Sequence, residues 1–164
     1  MELERVLPRL FTELVHGAAA GGGAFMLNSG DAGMLASLDA LTAEEASRAV
    51  SGGATIAAHA EHVRYGLLLM NEWARHGGNP FADARWDAAW KMSAVDGPRW
   101  EEIRSGLRQE AERWLGTLGT RRAANEIELC GMIGSIAHLA YHLGAIRQIV
   151  PRTRGPREST FGAQ

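Results

Sequence analysis

Two histidines four residues apart are the part of the sequence best suited to binding a metal ion. His138 and His142 lie in the last apolar stretch of the chain. An α-helix advances about 100° and 1.5 Å per residue, which places the two on one side, about 6 Å apart along the axis, so that both rings can reach one ion. The same side carries Gly131, Gly134 and Ala145, whose small side chains leave room for something other than protein.

A third imidazole is expected from an earlier helix, which carries His59 and His62. Measured from Ile56 on the core side of that helix, His59 falls at about 300° and His62 at about 240°, so His59 lies nearer to the core. We therefore predict His59, His138 and His142 as metal ligands, with His62 as the alternative to His59. Three imidazoles can hold zinc, nickel or iron(II) and leave a position open for water or substrate, which is typical of catalytic sites.

The elements that must position these histidines are helices. Strand patterns are almost absent, and apolar residues recur at intervals of three and four. The pattern predicts an all-α fold, a four-helix bundle with long connections that carry short extra helices. The four long helices are expected to begin near residues 2, 55, 98 and 125. We expect one domain over residues 1–150 and a basic, extended tail over residues 151–164.

Local signals predict where several elements begin. Thr42 with Glu45 three residues later is a capping box, and Asp31 is expected to cap a short helix. Pro98 suits the first residue of the third long helix. The glycine-rich segment 17–24 is expected to be a place where backbones pack closely, with a flexible linker as the alternative.

Two stretches, "IAAHAEHVRYGL" and "HLAYHLGAIRQI", resemble the DinB/YfiT-like superfamily, and the resemblance extends over most of the chain. Its most specific part is the last stretch, in which two histidines are followed by glycine and "IRQ". The resemblance implies a four-helix bundle that binds a metal through His59, His138 and His142, and it implies a homodimer. It also implies transfer or isomerisation chemistry with a low-molecular-weight thiol such as bacillithiol or mycothiol. The additional His62 departs from the pattern.

The expected function is that of a metal-dependent transferase or hydrolase that activates a thiol or water. Tyr65, Tyr141 and Arg147 are candidates for positioning a small-molecule substrate or transferring protons, although core packing or an ion pair would also explain them. Trp86 and Trp90 are candidates for a lid or a dimer face, with core closure as the alternative. The candidate partners for orienting the imidazoles are Asn28, Asp31, Asn71 and Glu128. The sequence leaves open a different function, that of a non-catalytic, metal-stabilised dimeric bundle.

Composition and charge argue against other classes of protein. The 164 residues carry a formal net charge of −2, which gives no electrostatic case for binding nucleic acid. The apolar stretch 129–150 is interrupted by histidines and Arg147, so we expect no membrane span. The single cysteine and the lack of a signal-peptide pattern predict a cytoplasmic protein.

Overall fold

A computed structural model describes residues 3–18 and 23–156, without the side chain of Glu4. These residues form seven α-helices and no strand, so the all-α prediction is confirmed for the described part of the chain. The helices are α1 (Leu3–His16), α2 (Gly33–Asp39), α3 (Ala43–Ala46), α4 (Ile56–His76), α5 (Asp87–Trp90), α6 (Gly97–Thr120) and α7 (Glu126–Ile149). A short 3₁₀ helix, Pro151–Thr153, follows α7.

The four long helices, α1, α4, α6 and α7, surround one apolar core. α4 packs against both α6 and α7, and α1 also packs against both of them. Phe11, Ile56 and Trp114, from three of these helices, are fully buried in that core. Since burial of such side chains is the main driving force for folding, the core fixes α4 beside α7. This neighbourhood brings the two histidine pairs together.

The helix boundaries follow from capping residues. Thr42 and Glu45 form the predicted capping box at the start of α3. The side chain of Thr55 accepts the Ala58 N–H at the start of α4. Asp96 caps α6, which begins at Gly97. Pro98 is therefore the second residue of the helix, whereas the first position was predicted.

Asp31 has a different role from the predicted one. α2 begins at Gly33, and its N-cap residue is Ala32, which makes no side-chain capping bond. The Asp31 carboxylate accepts the N–H of Gly33 at 2.8 Å and pairs with the Arg147 guanidinium of α7 at 2.7 Å. The prediction that Asp31 caps α2 was wrong because Ala32 stands in the N-cap position. Asp31 still binds the first N–H of the helix, and its long-range partner Arg147 is not visible in the local sequence.

Close backbone packing occurs at the start of the glycine-rich segment. Gly17 and Gly33 have φ angles of 96° and 74°, in the region that favours glycine. A Cβ atom on Gly33 would lie 2.8 Å from the carbonyl oxygen of Val15, so no side chain fits there. Residues 19–22 lie outside the described residues. After them, the Glu13 carboxylate accepts backbone N–H groups from residues 25–27, which ties this segment to α1.

The residues after α7 lie against the body of the protein as far as the structure describes them. Thr153 is buried, and the guanidinium of Arg152 contacts Glu45 near α3. The side-chain amide of Asn28 donates to the carbonyl oxygen of Pro156 at 2.8 Å. The rest of the predicted tail, residues 157–164, lies outside the described residues.

Within the part of the chain that the structure describes, α7 alone has the length and composition of a membrane-spanning helix. The core helix of a soluble protein meets the same criteria, and α7 contributes Leu139, Leu143 and Ile146 to the core. The finding is therefore weak support for a membrane span, and the expected absence of one stays a prediction.

Candidate metal centre

Three imidazoles from two neighbouring helices converge on one point. The Nε2 atom of His138 on α7 lies 3.0 Å from the Nε2 atom of His62 on α4 and 3.0 Å from that of His142 on α7. One nitrogen from each residue lies within 4.8 Å of the other two. His62 and His142 are buried, and His138 is half-buried. These three residues, which we call the trio, could hold a metal ion.

Hydrogen bonds alone do not satisfy this arrangement. An imidazole nitrogen carries either one hydrogen or one lone pair in the plane of the ring. The Nε2 of His138 therefore cannot make good hydrogen bonds to both of the nitrogens that lie 3.0 Å from it. Nitrogens bound about 2.1 Å from one zinc ion lie about 3.0 to 3.4 Å apart, so the observed spacing fits a shared cation.

The environment keeps the trio uncharged near neutral pH. Burial, and to a lesser degree the neighbouring imidazoles, lower the pKa of His142 to about 3 and that of His62 to about 4. Burial also lowers the pKa of His138. Only a neutral imidazole has a lone pair for a metal ion, so these residues are in the protonation state that binding requires.

His59, the predicted third ligand, contacts the trio from outside. Its Nδ1 lies 2.9 Å from the Nδ1 of His142, the ring nitrogen of His142 that does not face His138. The structure thus places the alternative, His62, in the trio and His59 beside it. Whether His59 or His62 binds a metal stays a prediction.

The angular positions of the residues around α4 did not predict correctly which side of the helix faces α7. Counting from Ile56 identifies the side of α4 that points to the middle of the core. The trio lies at the flank of that core, where α4 meets α7. His62 is buried there at 8% exposure, whereas His59 is half-buried.

Two tryptophans pack against the trio, and whether they act as a lid, a dimer face or core closure stays a prediction. The ring of His62 lies 4.3 Å from that of Trp90 and 5.1 Å from that of Trp86, measured between centroids. Trp90 also contacts His59 at 5.5 Å, and Phe81 stacks on Trp86 at 5.9 Å. The connection between α4 and α6 therefore places aromatic rings against the imidazoles. These rings shield one side of the imidazoles from water, and burial is the main cause of the lowered histidine pKa values.

The Nδ1 of His62 is buried without a hydrogen-bond partner in the described structure. A buried nitrogen left unpaired costs about 1–3 kcal/mol. Such an atom is rare in folded proteins and calls for an explanation. It is the ring nitrogen of His62 that does not face His138, so an ion at the Nε2 atoms would not pair it.

The three candidates for proton transfer lie in different surroundings. The Tyr141 ring lies 5.0 Å from that of His142 but is 70% exposed. The Tyr65 hydroxyl accepts the backbone N–H of Arg85 at 3.0 Å, which holds the connection before α5. Arg147 is engaged in its ion pair with Asp31. Tyr141 is the only one of the three with a ring contact to the trio among the described residues.

The four expected orienting residues all bond elsewhere. Asn71 donates to the carboxylate of Glu110 at 2.8 Å, and Glu128 accepts the N–H of Ala124 at 3.0 Å. Asn28 and Asp31 contact Pro156 and Arg147, as described above. Sequence reasoning missed that another histidine, His59, could take this position, although its spacing from His62 placed it near the site.

A cavity of about 430 Å³ opens beside the trio. His62 and His138 line it, together with Gly131 and Gly134 of α7. The prediction that small residues near the histidine pair leave room for something other than protein is therefore confirmed for these two glycines. A ligand in the cavity would contact the imidazoles directly.

The fold and the site define a class of protein: an all-helical chain in which two helices bring three imidazoles together beside a cavity. Comparison with known protein families, with curated proteins and with solved structures finds no match for this chain. The resemblance to the DinB/YfiT-like superfamily therefore stays a prediction that rests on the sequence patterns.

Proposed function

We propose that the protein is a divalent-metal-dependent transferase or hydrolase whose ion is held by His62, His138 and His142. The observation that carries this proposal is the convergence of three Nε2 atoms on one point, with two separations of 3.0 Å. A zinc, nickel or iron(II) ion bound there would lower the pKa of a thiol or water and so supply a nucleophile near neutral pH.

The cavity favours catalysis over a purely structural metal. Structural zinc sites are usually closed by four protein ligands, whereas catalytic sites keep a position for substrate. Here three imidazoles form the compact group, and two of them line an open cavity. His59 would orient His142 through its Nδ1, and Trp86 and Trp90 would exclude water.

The proposal also covers the architecture, a four-helix bundle, and membership of the DinB/YfiT-like superfamily. The contacts of α1 and α4 with both α6 and α7 support a four-helix bundle. A histidine pair on the last helix and histidines on the second long helix support a DinB/YfiT-like protein. By that resemblance, the thiol would be a low-molecular-weight cosubstrate such as bacillithiol or mycothiol.

A homodimer through α7 also belongs to the proposal. Ile127, Ile133 and Tyr141 are apolar residues of α7 that are 84%, 48% and 70% exposed. In an antiparallel pair of α7 helices, the exposed Glu126 at one end would approach Arg154 beyond the other end, which gives charge complementarity. Light scattering should give twice the chain mass, and Tyr141→Glu should give a monomer while the exposed-site control Val50→Glu does not. A monomeric wild type would contradict this part.

The test of the metal site is the metal content of protein purified without a polyhistidine tag. We expect about one equivalent in the wild type and a negligible amount in a His138→Ala, His142→Ala double variant. Equal, negligible contents would contradict the proposal. Catalysis is tested on the loaded protein with bacillithiol, mycothiol or glutathione and a thiol-reactive electrophile. Bound metal without turnover in this screen and in an ester and amide hydrolysis screen would favour the non-catalytic bundle.

A further inference from the structure

The cavity beside the trio limits the chemistry of the substrate. Among the residues that the structure describes, none of the side chains that line it belongs to Asp, Glu, Lys or Arg, and Val63, Leu67, Met70 and Phe81 form much of its wall. We propose that the substrate has an uncharged, apolar body that fills this cavity and a reacting end that meets His62 and His138. The inference deepens the proposed function and rests on it.

The few polar groups of the wall support this division of the substrate into two ends. Ser135 lines the cavity, but its hydroxyl already donates to the carbonyl oxygen of Met132 at 2.7 Å and accepts from the indole N–H of Trp114 at 2.8 Å. The two imidazoles lie together, with their Nε2 atoms 3.0 Å apart. Apart from the indole N–H of Trp86, polar recognition is therefore concentrated at the trio, and the body of the substrate meets hydrocarbon.

A charge on the body of the substrate would be strongly disfavoured. An ion moved from water into an apolar site without a partner loses far more solvation energy than contacts with hydrocarbon return. The cavity volume of about 430 Å³ falls in the range of pockets that bind small organic molecules. A small aliphatic or aromatic molecule with one polar or electrophilic end fits both conditions.

Glycines of α7 keep the cavity open. A Cβ atom on Gly131 would lie 3.7 Å from the methyl group of Met70 across the cavity, and one on Gly134 would meet nothing within 4 Å. A leucine at either position can therefore fill the cavity without displacing the backbone. Gly144 of the same helix also has open space around it but does not line the cavity, so it is the matched control.

The experiment titrates zinc-loaded protein with two thiols that differ only at the end remote from sulfur, hexane-1-thiol and 6-mercaptohexanoate. The Met70 methyl resonance reports occupancy of the cavity, and metal content is measured separately. We expect the carboxylate to bind at least tenfold more weakly. Gly131→Leu and Gly134→Leu should each weaken the binding of hexane-1-thiol at least tenfold and leave the metal content as in the wild type. Gly144→Leu should change neither the binding nor the metal content.

Equal binding of the two thiols, or wild-type binding in both cavity-filling variants, would overturn the proposal. Failure to take up metal would be a separate result, because it refutes the proposed function. The Met70 shift does not depend on metal, so in that case the same titration still decides the chemistry of the cavity. If Gly131→Leu and Gly134→Leu weaken thiol binding alike, a folding defect in one of them cannot be the cause.

Discussion

The Nδ1 atoms of His59 and His142 lie 2.9 Å apart, on the side of His142 that does not face His138. One imidazole thus contacts two others through different nitrogens: His142 meets His138 through Nε2 and His59 through Nδ1. A metal-bound histidine commonly gives its second ring nitrogen to a partner that fixes its orientation. His59 occupies the position of such a partner, and His62 that of a ligand.

This assignment predicts different effects for the two histidines of α4. His62→Ala should reduce zinc affinity more than 100-fold because it removes a ligand. His59→Ala should reduce it about 10- to 100-fold, the range typical of partners that orient ligands. Competition with a chromophoric chelator measures both affinities.

The exposed His76 at the end of α4 provides the control, since His76→Ala should leave the affinity unchanged. If His59→Ala has the larger effect, the ligand set is the one predicted from the sequence, with His59 in place of His62.

The helices could be predicted from sequence because their signals are local. Thr42 with Glu45 and the apolar periodicity of α1, α4, α6 and α7 need no distant partner to be recognised. Asp31 could not be assigned this way, because its role depends on Arg147, more than a hundred residues later. The Oδ1 atom of Asp31 accepts from both Gly33 and Arg147, and only the first of these partners is local in the sequence.

The candidate site was predictable in part for the same reason. The four-residue spacing of His138 and His142 fixes their relation within one helix. The choice between His59 and His62 depends on how α4 is rotated against α7, which packing over the whole core decides. A phase error of a few tens of degrees, ordinary for a helix, is enough to exchange the two.

Removal of the metal should lower stability without unfolding the protein. The core around Phe11, Ile56 and Trp114 is built from apolar side chains of all four long helices, so the helices should remain packed. Free zinc at about 100 times its dissociation constant would add about 2.7 kcal/mol to the free energy of unfolding. In a chain of this size that corresponds to a melting temperature about 5–10 °C higher.

Thermal melts followed by circular dichroism, with and without a strong chelator, measure this difference. The His138→Ala, His142→Ala variant should melt at the same temperature in both conditions. Complete loss of helical signal on chelation at 25 °C would instead identify the ion as a structural element.

The metal-free protein should lose stability as the pH falls below about 6.5, the ordinary pKa of histidine. The pKa of His142 is lowered to about 3 and that of His62 to about 4, each mainly by burial. Between pH 6.5 and 4 the unfolded chain therefore binds protons at both residues that the folded chain does not. The free energy of unfolding should fall by up to about 1.4 kcal/mol per pH unit for each of them.

Urea unfolding at pH 7, 6 and 5 measures this dependence, since the histidine contribution is complete above pH 6.5 and declines below it. A His62→Asn, His142→Asn variant should show a shallower slope. A wild-type stability that is equal at pH 7 and pH 5 would contradict the buried, neutral state of the two imidazoles.

The ion pair between Arg147 and Asp31 should be needed for stability and not for metal binding. The two side chains are 14% and 2% exposed, and their guanidinium nitrogen and carboxylate oxygen are 2.7 Å apart. Breaking a buried pair leaves an unpaired charge and costs about 3–5 kcal/mol, so Arg147→Met should lower the free energy of unfolding by that amount. The double variant with Asp31→Asn should lose less than the sum of the single changes, because neither charge remains unpaired. Urea unfolding and zinc content separate a role in stability from a role in the site. An unstable Arg147→Met variant with full zinc content would confirm that Arg147 stabilises the fold. A variant of normal stability that has lost turnover would make Arg147 part of the site.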